Sequence, residues 1–228
     1  MLKLTYYGHD VFLLDDGNLK VIIDPFLTGN PLAPVAASSI KVDYILVTHG
    51  HGDHVGDTLE IARQNQATVI APFELATWLG TQGVEVHAMH IGGAHDFPFG
   101  RVKLTQALHG SAVVDGDRII YTGNPVGFLV TMGGKRVYHA GDTGLFGDMR
   151  LLGETEKPQV ALLPIGDNFT MGPDDALIAA EWLKPELTIP MHYNTFPVIE
   201  QDPRSFVRRL GEKGLQGRVM EFGETIEL

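Results

Sequence analysis

Three imidazoles and one carboxylate fall within six positions at His49, His51, Asp53 and His54, in the run Thr48-His49-Gly50-His51-Gly52-Asp53-His54. In an extended loop, residues two apart point the same way, so His49 and His51 can grip one ion. Asp53 and His54 come from the next bend and can face a second. Gly50 and Gly52 let the backbone turn tightly between them. Packing gives no reason to gather such groups, which repel one another when charged, whereas a metal explains them. Imidazole and carboxylate donors suit zinc, iron, manganese, cobalt or nickel. Four donors are too few for two ions with an open position. Further candidates are His109 after Leu108, Asp142 in Gly141-Asp142-Thr143-Gly144, and His192 in Pro190-Met191-His192-Tyr193. Each follows an apolar stretch, so the three could converge on one edge of the fold.

The elements that must position these groups are short. Leu2–Tyr6, Val11–Leu14 and Leu19–Ile23 read as a strand meander turned by Asp15-Asp16-Gly17-Asn18. Asp24-Pro25 stops the third strand. Thr28–Ser39 reads as a loop that could act as a lid. Val42–Val47 is continuously apolar, as in a strand buried on both faces, and the histidine run follows it. Asp57–Gln66 and Pro72–Leu79 read as helices, with Thr68–Ile70 and Val84–Met89 as strands. Arg101–Leu108 is a strand ending on His109. Val126–Met132 and Lys135–His139 form a hairpin across Gly133-Gly134. Val160–Pro164 is a buried strand, Asp174–Leu183 a helix opened by Pro173, and Leu187–Ile189 a strand stopped at Pro190. Pro203–Lys213 is a last helix, and Val219–Leu228 closes with one or two strands. Strands come first and strand–helix alternation follows, once in each half. That order predicts an α/β fold of two packed sheets with helices outside, a four-layer αββα sandwich. Residues 1–228 are expected to form a single domain.

Composition narrows the class of function. The 228 residues are 44% hydrophobic and 20% charged, with a net charge of −11, as expected of a globular protein whose surface disfavours phosphate backbones at long range. Nucleic acid is therefore disfavoured as a substrate. The chain has no cysteine, which removes disulfides, thiolate ligands and cysteine nucleophiles together. No apolar run approaches the roughly 20 residues of a membrane span, and the first residues read as a strand, not a secretory signal, so a cytoplasmic location is expected.

The run His49-x-His51-x-Asp53-His54, followed in order by His109, Asp142 and His192, resembles the metallo-β-lactamase fold superfamily over essentially the whole chain. Tyr7-Gly8-His9, Asp24-Pro25-Phe26 and the setting of His192 in Pro190–Pro197 narrow the likeness. They resemble a group of small metal-dependent hydrolases related to L-ascorbate-6-phosphate lactonase. The resemblance implies that His49, His51 and His109 hold one metal and Asp53, His54 and His192 the other, with Asp142 bridging both. It leaves the substrate open.

Two divalent ions about 3.5–4 Å apart can share a water and lower its pKa towards 7. The expected chemistry is attack of that hydroxide on a small ester or lactone, with zinc the first choice of metal. The alternative is a phosphodiesterase acting on a small phosphodiester, nucleotide or phospholipid headgroup. A β-lactamase, a diiron oxidoreductase lacking its flavin partner, and a metal-binding sensor without turnover rank below these. A small-molecule substrate is expected, and a homo-oligomer is left open. Asp53 is placed to orient the nucleophile and shuttle a proton. Asp24 is a candidate for bracing a metal-bound histidine, the alternative being a plain turn residue before proline. His9, Asn168, Tyr193 and Asn194 are candidates to line the pocket. His87, His90, His95 and His139 have no motif support and read as structural. Ser111 and Thr143 lie beside the candidate ligands, but no Gly-x-Ser-x-Gly elbow supports a serine nucleophile.

Overall fold

The computed structural model describes residues Met1–Leu228. Seven strands form one sheet, in the order β15 (Thr225–Glu227), β1 (Lys3–Tyr6), β2 (Phe12–Asp15), β3 (Lys20–Ile23), β4 (Tyr44–Leu46), β5 (Thr68–Pro72) and β6 (Val86–Met89). Six form the other, in the order β14 (Leu187–Met191), β13 (Val160–Pro164), β12 (Lys135–His139), β11 (Val126–Met132), β8 (Gly100–Gln106) and β7 (Ala94–Phe97). A two-stranded hairpin, β9 (Ala112–Asp115) and β10 (Arg118–Tyr121), stands apart. The helices are α1 (Gly52–Val55), α2 (Thr58–Asn65), α3 (Phe73–Thr81), α4 (Asp148–Thr155), α5 (Pro173–Leu183) and α6 (Pro203–Glu212). None is long and apolar enough to cross a membrane.

The apolar pattern explains the layering. Strands β3 to β6 run parallel, as do β12 to β14, and the remaining pairings are antiparallel. In β3, Val21 and Ile23 face the core between the sheets while Ile22 faces the core under α2 and α3. Leu46 and Ile70 join the first of these cores, and Ile45, Val47, Val69 and Ala71 the second. After their first residues, Lys20, Tyr44 and Thr68, these strands are apolar because both faces are buried, each such side chain contributing about 1.5–3 kcal/mol. The result is the αββα sandwich that the element order predicts.

Three elements had no clear sequence pattern. The β9–β10 hairpin turns Val113 into the core under α2 and α3 but leaves Val114 and Ile119 in solvent, so its polarity does not alternate. Helix α4 buries only Met149 fully, and β7 carries His95 and Asp96 exposed at a sheet edge. One boundary also differs. Strand β14 continues through Pro190 to Met191, which an edge strand tolerates because the missing N–H faces away from the ladder. The Thr28–Ser39 loop is tied down. The Leu27 and Thr28 amides donate to Asp57 Oδ2 at 2.9 and 2.8 Å, Gln64 donates to the Ser38 carbonyl at 2.8 Å, and Ala37 is buried.

Candidate metal centre

The candidate donors all leave strand ends on one edge of the sandwich. Strand β4 delivers Thr48 to His54, β8 delivers His109, β12 delivers Asp142, and β14 delivers His192. Asp53 and His54 sit on α1, a single turn whose N-cap residue is His51.

His49 Nε2 lies 3.0 Å from His51 Nδ1, and His109 Nε2 lies 3.2 Å from the same atom. Four-coordinate zinc with bonds of 2.0–2.1 Å requires donors about 3.3 Å apart, so the trio already has the spacing of a metal cradle. Beside it, Asp142 Oδ2 is 3.1 Å from His192 Nε2, 3.3 Å from His54 Nε2, 3.4 Å from His109 Nε2 and 4.0 Å from His49 Nε2. Asp53 Oδ2 is 4.0 Å from His54 Nε2. Asp53, His54, His192 and His9 form a second group whose donor atoms all lie within 4.8 Å of one another.

The donor chemistry fits cations. His54 Nε2, both ring nitrogens of His192 and Asp142 Oδ1 are buried and have no hydrogen-bond partner. Buried polar atoms in a folded protein almost always have partners, so this concentration of orphans marks where an ion would sit. Burial opposes charge on His192, yet Asp142 and then Asp10 draw its pKa up to about 9. Burial likewise opposes charge on His54, and Asp142 and Asp24 outweigh it. Burial would raise Asp142, but His192 and His54 hold its carboxyl well below the usual range. The carboxylates attract positive charge here strongly enough to overcome desolvation.

The bracing around the donors is explicit. Asp24 Oδ1 accepts from the Thr48 amide at 2.8 Å. Asp24 Oδ2 accepts from the Thr48 hydroxyl at 2.6 Å and from His54 Nδ1–H at 2.8 Å. Because the Thr48 hydroxyl donates to Asp24, its oxygen is left to accept from His49 Nδ1–H at 2.9 Å. Both rings are thereby fixed with Nε2 free, the arrangement usual for metal-bound histidines. Ser111 Oγ accepts from the Gly50 amide at 3.1 Å, so it steadies the histidine loop.

His9 is fully buried. Its Nε2 is 3.3 Å from Asp53 Oδ2 and its Nδ1 is 2.8 Å from the Thr195 hydroxyl. Burial, then the His192 charge, lowers its pKa to about 4. It is therefore a neutral ring whose Nε2–H donates to Asp53. Burial would raise Asp53, but the bond from His9 and the His54 charge hold it below the usual carboxylate range. Phe26 and Phe196 stack 6.4 Å apart beside His9.

The other pocket candidates differ in exposure. Tyr193 is buried in the core between the sheets. Asn194 is exposed, and its Oδ1 accepts from the Gln201 amide at 2.8 Å. Asn168 is exposed on the turn after β13. His87 and His95 pack 4.4 Å apart, their rings tilted by 37°, across the two sheet edges. His90 stacks on Phe73. His139 is fully buried. Its Nε2–H donates to the Asp10 carbonyl at 2.9 Å, and its Nδ1 accepts from Gly141 at 3.2 Å. Asp10, against the same edge, had no sequence signal beyond following His9.

The β-lactamase superfamily domain model matches residues 20–193. The chain belongs to that superfamily, and within it to a family of metal-dependent hydrolases. Relatives so named from Bacillus cereus (strain B4264) and Geobacillus sp. (strain WCH70) are 57% and 59% identical, each over 100% of both chains. Igni18, a metallo hydrolase from the hyperthermophilic archaeon Ignicoccus hospitalis, is 40% identical at a TM-score of 0.90, covering 100% of this chain and 99% of that one. The isothiocyanate hydrolase from Delia radicum gut bacteria shares the fold at a TM-score of 0.76 and 21% identity, covering 99% of this chain and 98% of that one.

Proposed function

We propose that this hydrolase uses two divalent ions, zinc first among them, to cleave a small ester or lactone. The observation that carries the reading is the position of Asp142 Oδ2, within 4.0 Å of four imidazole nitrogens that come from three separate strand ends. His49, His51 and His109 would hold one ion and Asp53, His54 and His192 the other, with Asp142 between them. Bound there, the ions would supply Lewis acidity and a hydroxide nucleophile at neutral pH.

The chain's own residues do the rest. Asp24 and Thr48 fix the His49 and His54 rings, so the donor nitrogens need no reorganisation. His9 donates to one oxygen of Asp53, which aligns the carboxylate while its other oxygen stays free to orient a nucleophile and take its proton. The side chain of Asp53 is 30% exposed, so a proton accepted there has a route to solvent. Phe26 and Phe196 flank this edge with apolar surface.

The neighbouring grooves favour an uncharged substrate body over a phosphate. One groove, lined by Ile91, Gln106, Leu108, Asn124 and Pro125 among others, opens beside His109. It meets a second at Ile91 and Asn124, where Tyr121, His90 and Glu74 form the wall. Neither groove is lined by lysine or arginine. Phosphate recognition ordinarily uses such cations. The test is metal analysis followed by turnover of a lactone panel against bis-p-nitrophenyl phosphate. Lactone hydrolysis by the two-metal form supports the reading. Diesterase activity without lactonase activity replaces it with a phosphodiesterase, and failure to bind any divalent metal overturns both.

A further inference from the structure

Asp10 is the carboxylate that the chemistry above leaves without work. Its side chain is fully buried, and neither oxygen has a hydrogen-bond partner. Three donors around it are committed elsewhere, while the ring nitrogens of His192, in the same cluster, have no partner. His54 Nδ1–H, 4.0 Å from Asp10 Oδ2, donates to Asp24. The Thr48 hydroxyl also donates to Asp24. His139 Nε2–H donates to the backbone carbonyl of Asp10, not to its carboxyl. A buried carboxyl with no donor is costly unless a charge compensates it.

The turn that carries Asp10 is built to hold it there. Gly8 and His9 have φ values of 96° and 55°, and the turn closes with Val11 N–H donating to the Gly8 carbonyl at 3.0 Å. The His9 carbonyl accepts from the Tyr6 hydroxyl at 3.0 Å and from the His192 amide at 3.1 Å. Consecutive residues thus reach the same group of donors. His9 touches Asp53, and Asp10 lies with Asp142 and His192 in a cluster whose donor atoms fall within 4.8 Å of one another.

Charge counting supplies the missing partner. Before a water on them ionises, two divalent ions bring four positive charges. Asp24, Asp53 and Asp142 bring three negative charges, and the imidazole ligands bring none. We propose that Asp10 is the fourth carboxylate of this centre, a positioning residue that neutralises and retains the ion held by Asp53, His54 and His192. The assignment rests on the two-ion reading of the site. It gives a reason for an unpartnered buried acid, which packing alone would replace with an uncharged side chain.

The test compares wild type with Asp10→Asn and Asp10→Ser by stepwise zinc competition against a chelator, and by melting of the chelator-treated proteins. The expected result for Asp10→Asn is one zinc step unchanged and the other weakened tenfold or more, in the range seen for groups that support metal ligands. The chelator-treated variant should melt no lower than chelator-treated wild type, because an uncompensated buried acid has been removed. Asp10→Ser should weaken the same step, which separates loss of charge from the particular shape of asparagine. Two unchanged steps, or equal weakening of both, overturn the assignment. Wild type that takes up a single zinc overturns the two-ion reading itself and the assignment with it.

Discussion

Asp24 and His54 are joined by a 2.8 Å hydrogen bond from Nδ1–H to Oδ2, and this bond aims His54 Nε2 at Asp142, 3.3 Å away. Asp24 also accepts from the amide and hydroxyl of Thr48, whose oxygen in turn receives His49 Nδ1–H. One carboxylate therefore braces a donor of each proposed ion. Replacing Asp24 with alanine should lower zinc affinity roughly 10- to 100-fold. Both zinc steps should weaken, in contrast to the single step expected for Asp10. It should also destabilise the fold, because the buried Thr48 amide loses its acceptor. Chelator competition and thermal melting read the two effects. Unchanged affinity would show that His54 is held by packing alone.

Asp53 differs in being partly exposed and in making no bond that the fold requires. Its one hydrogen-bond partner is His9, at 3.3 Å. Asp53→Ala should therefore cost activity by about 100-fold or more while moving the melting temperature of the chelator-treated protein little. His9→Gln keeps a donor near Asp53 and should lose less activity than His9→Ala. If Asp53→Ala retained full turnover of an identified substrate, its proposed role in orienting the nucleophile would be wrong.

The clustering of the candidate donors was legible in the sequence because metal chemistry restricts residue type and because each candidate follows an apolar strand. The layers were legible because β3, β4 and β5 are apolar after their first residues, where both faces are covered. Asp10 and His139 were not legible. They are 129 residues apart, and nothing local to either shows that the fold will bury them together. Tyr193 follows a candidate ligand, which suggested a pocket position. Instead, side chains alternate as the chain leaves β14: His192 faces the edge and Tyr193 turns into the core. The β9–β10 hairpin was missed because one of its faces carries Val114 and Ile119 in solvent, the reverse of the usual polarity signal.

Gly50 couples that hairpin to the histidine loop. A Cβ at this position would collide with Thr122 Oγ1 and lie 3.0 Å from the Ala112 carbonyl carbon. Gly50→Ala should destabilise the protein by about 1–3 kcal/mol and weaken zinc binding, since His49 and His51 flank the displaced residue. Adding Thr122→Ala removes the closest contact and should recover part of the stability, but not all, because the backbone contact at Ala112 remains. Melting of the single and double variants measures this. No change in Gly50→Ala would mean that the hairpin yields freely.

His139 offers the cleanest pH dependence. Burial lowers its pKa from the ordinary value of 6.5, and it acts as a neutral ring that donates to Asp10 and accepts from Gly141. As pH falls below about 6.5, the unfolded chain takes up a proton that the folded chain resists, so the unfolded state binds more protons and stability falls. The contribution is fully present above pH 6.5 and is lost progressively down to the folded pKa. His139→Gln can keep a donor and an acceptor but cannot titrate. The difference in melting temperature between wild type and this variant should therefore shift against wild type as the pH is lowered from 7 towards 5. Other histidines in the chain also titrate, but they are common to both proteins and largely cancel in the difference. A difference that stays flat across that interval would mean that folded His139 accepts its proton as readily as the unfolded chain does.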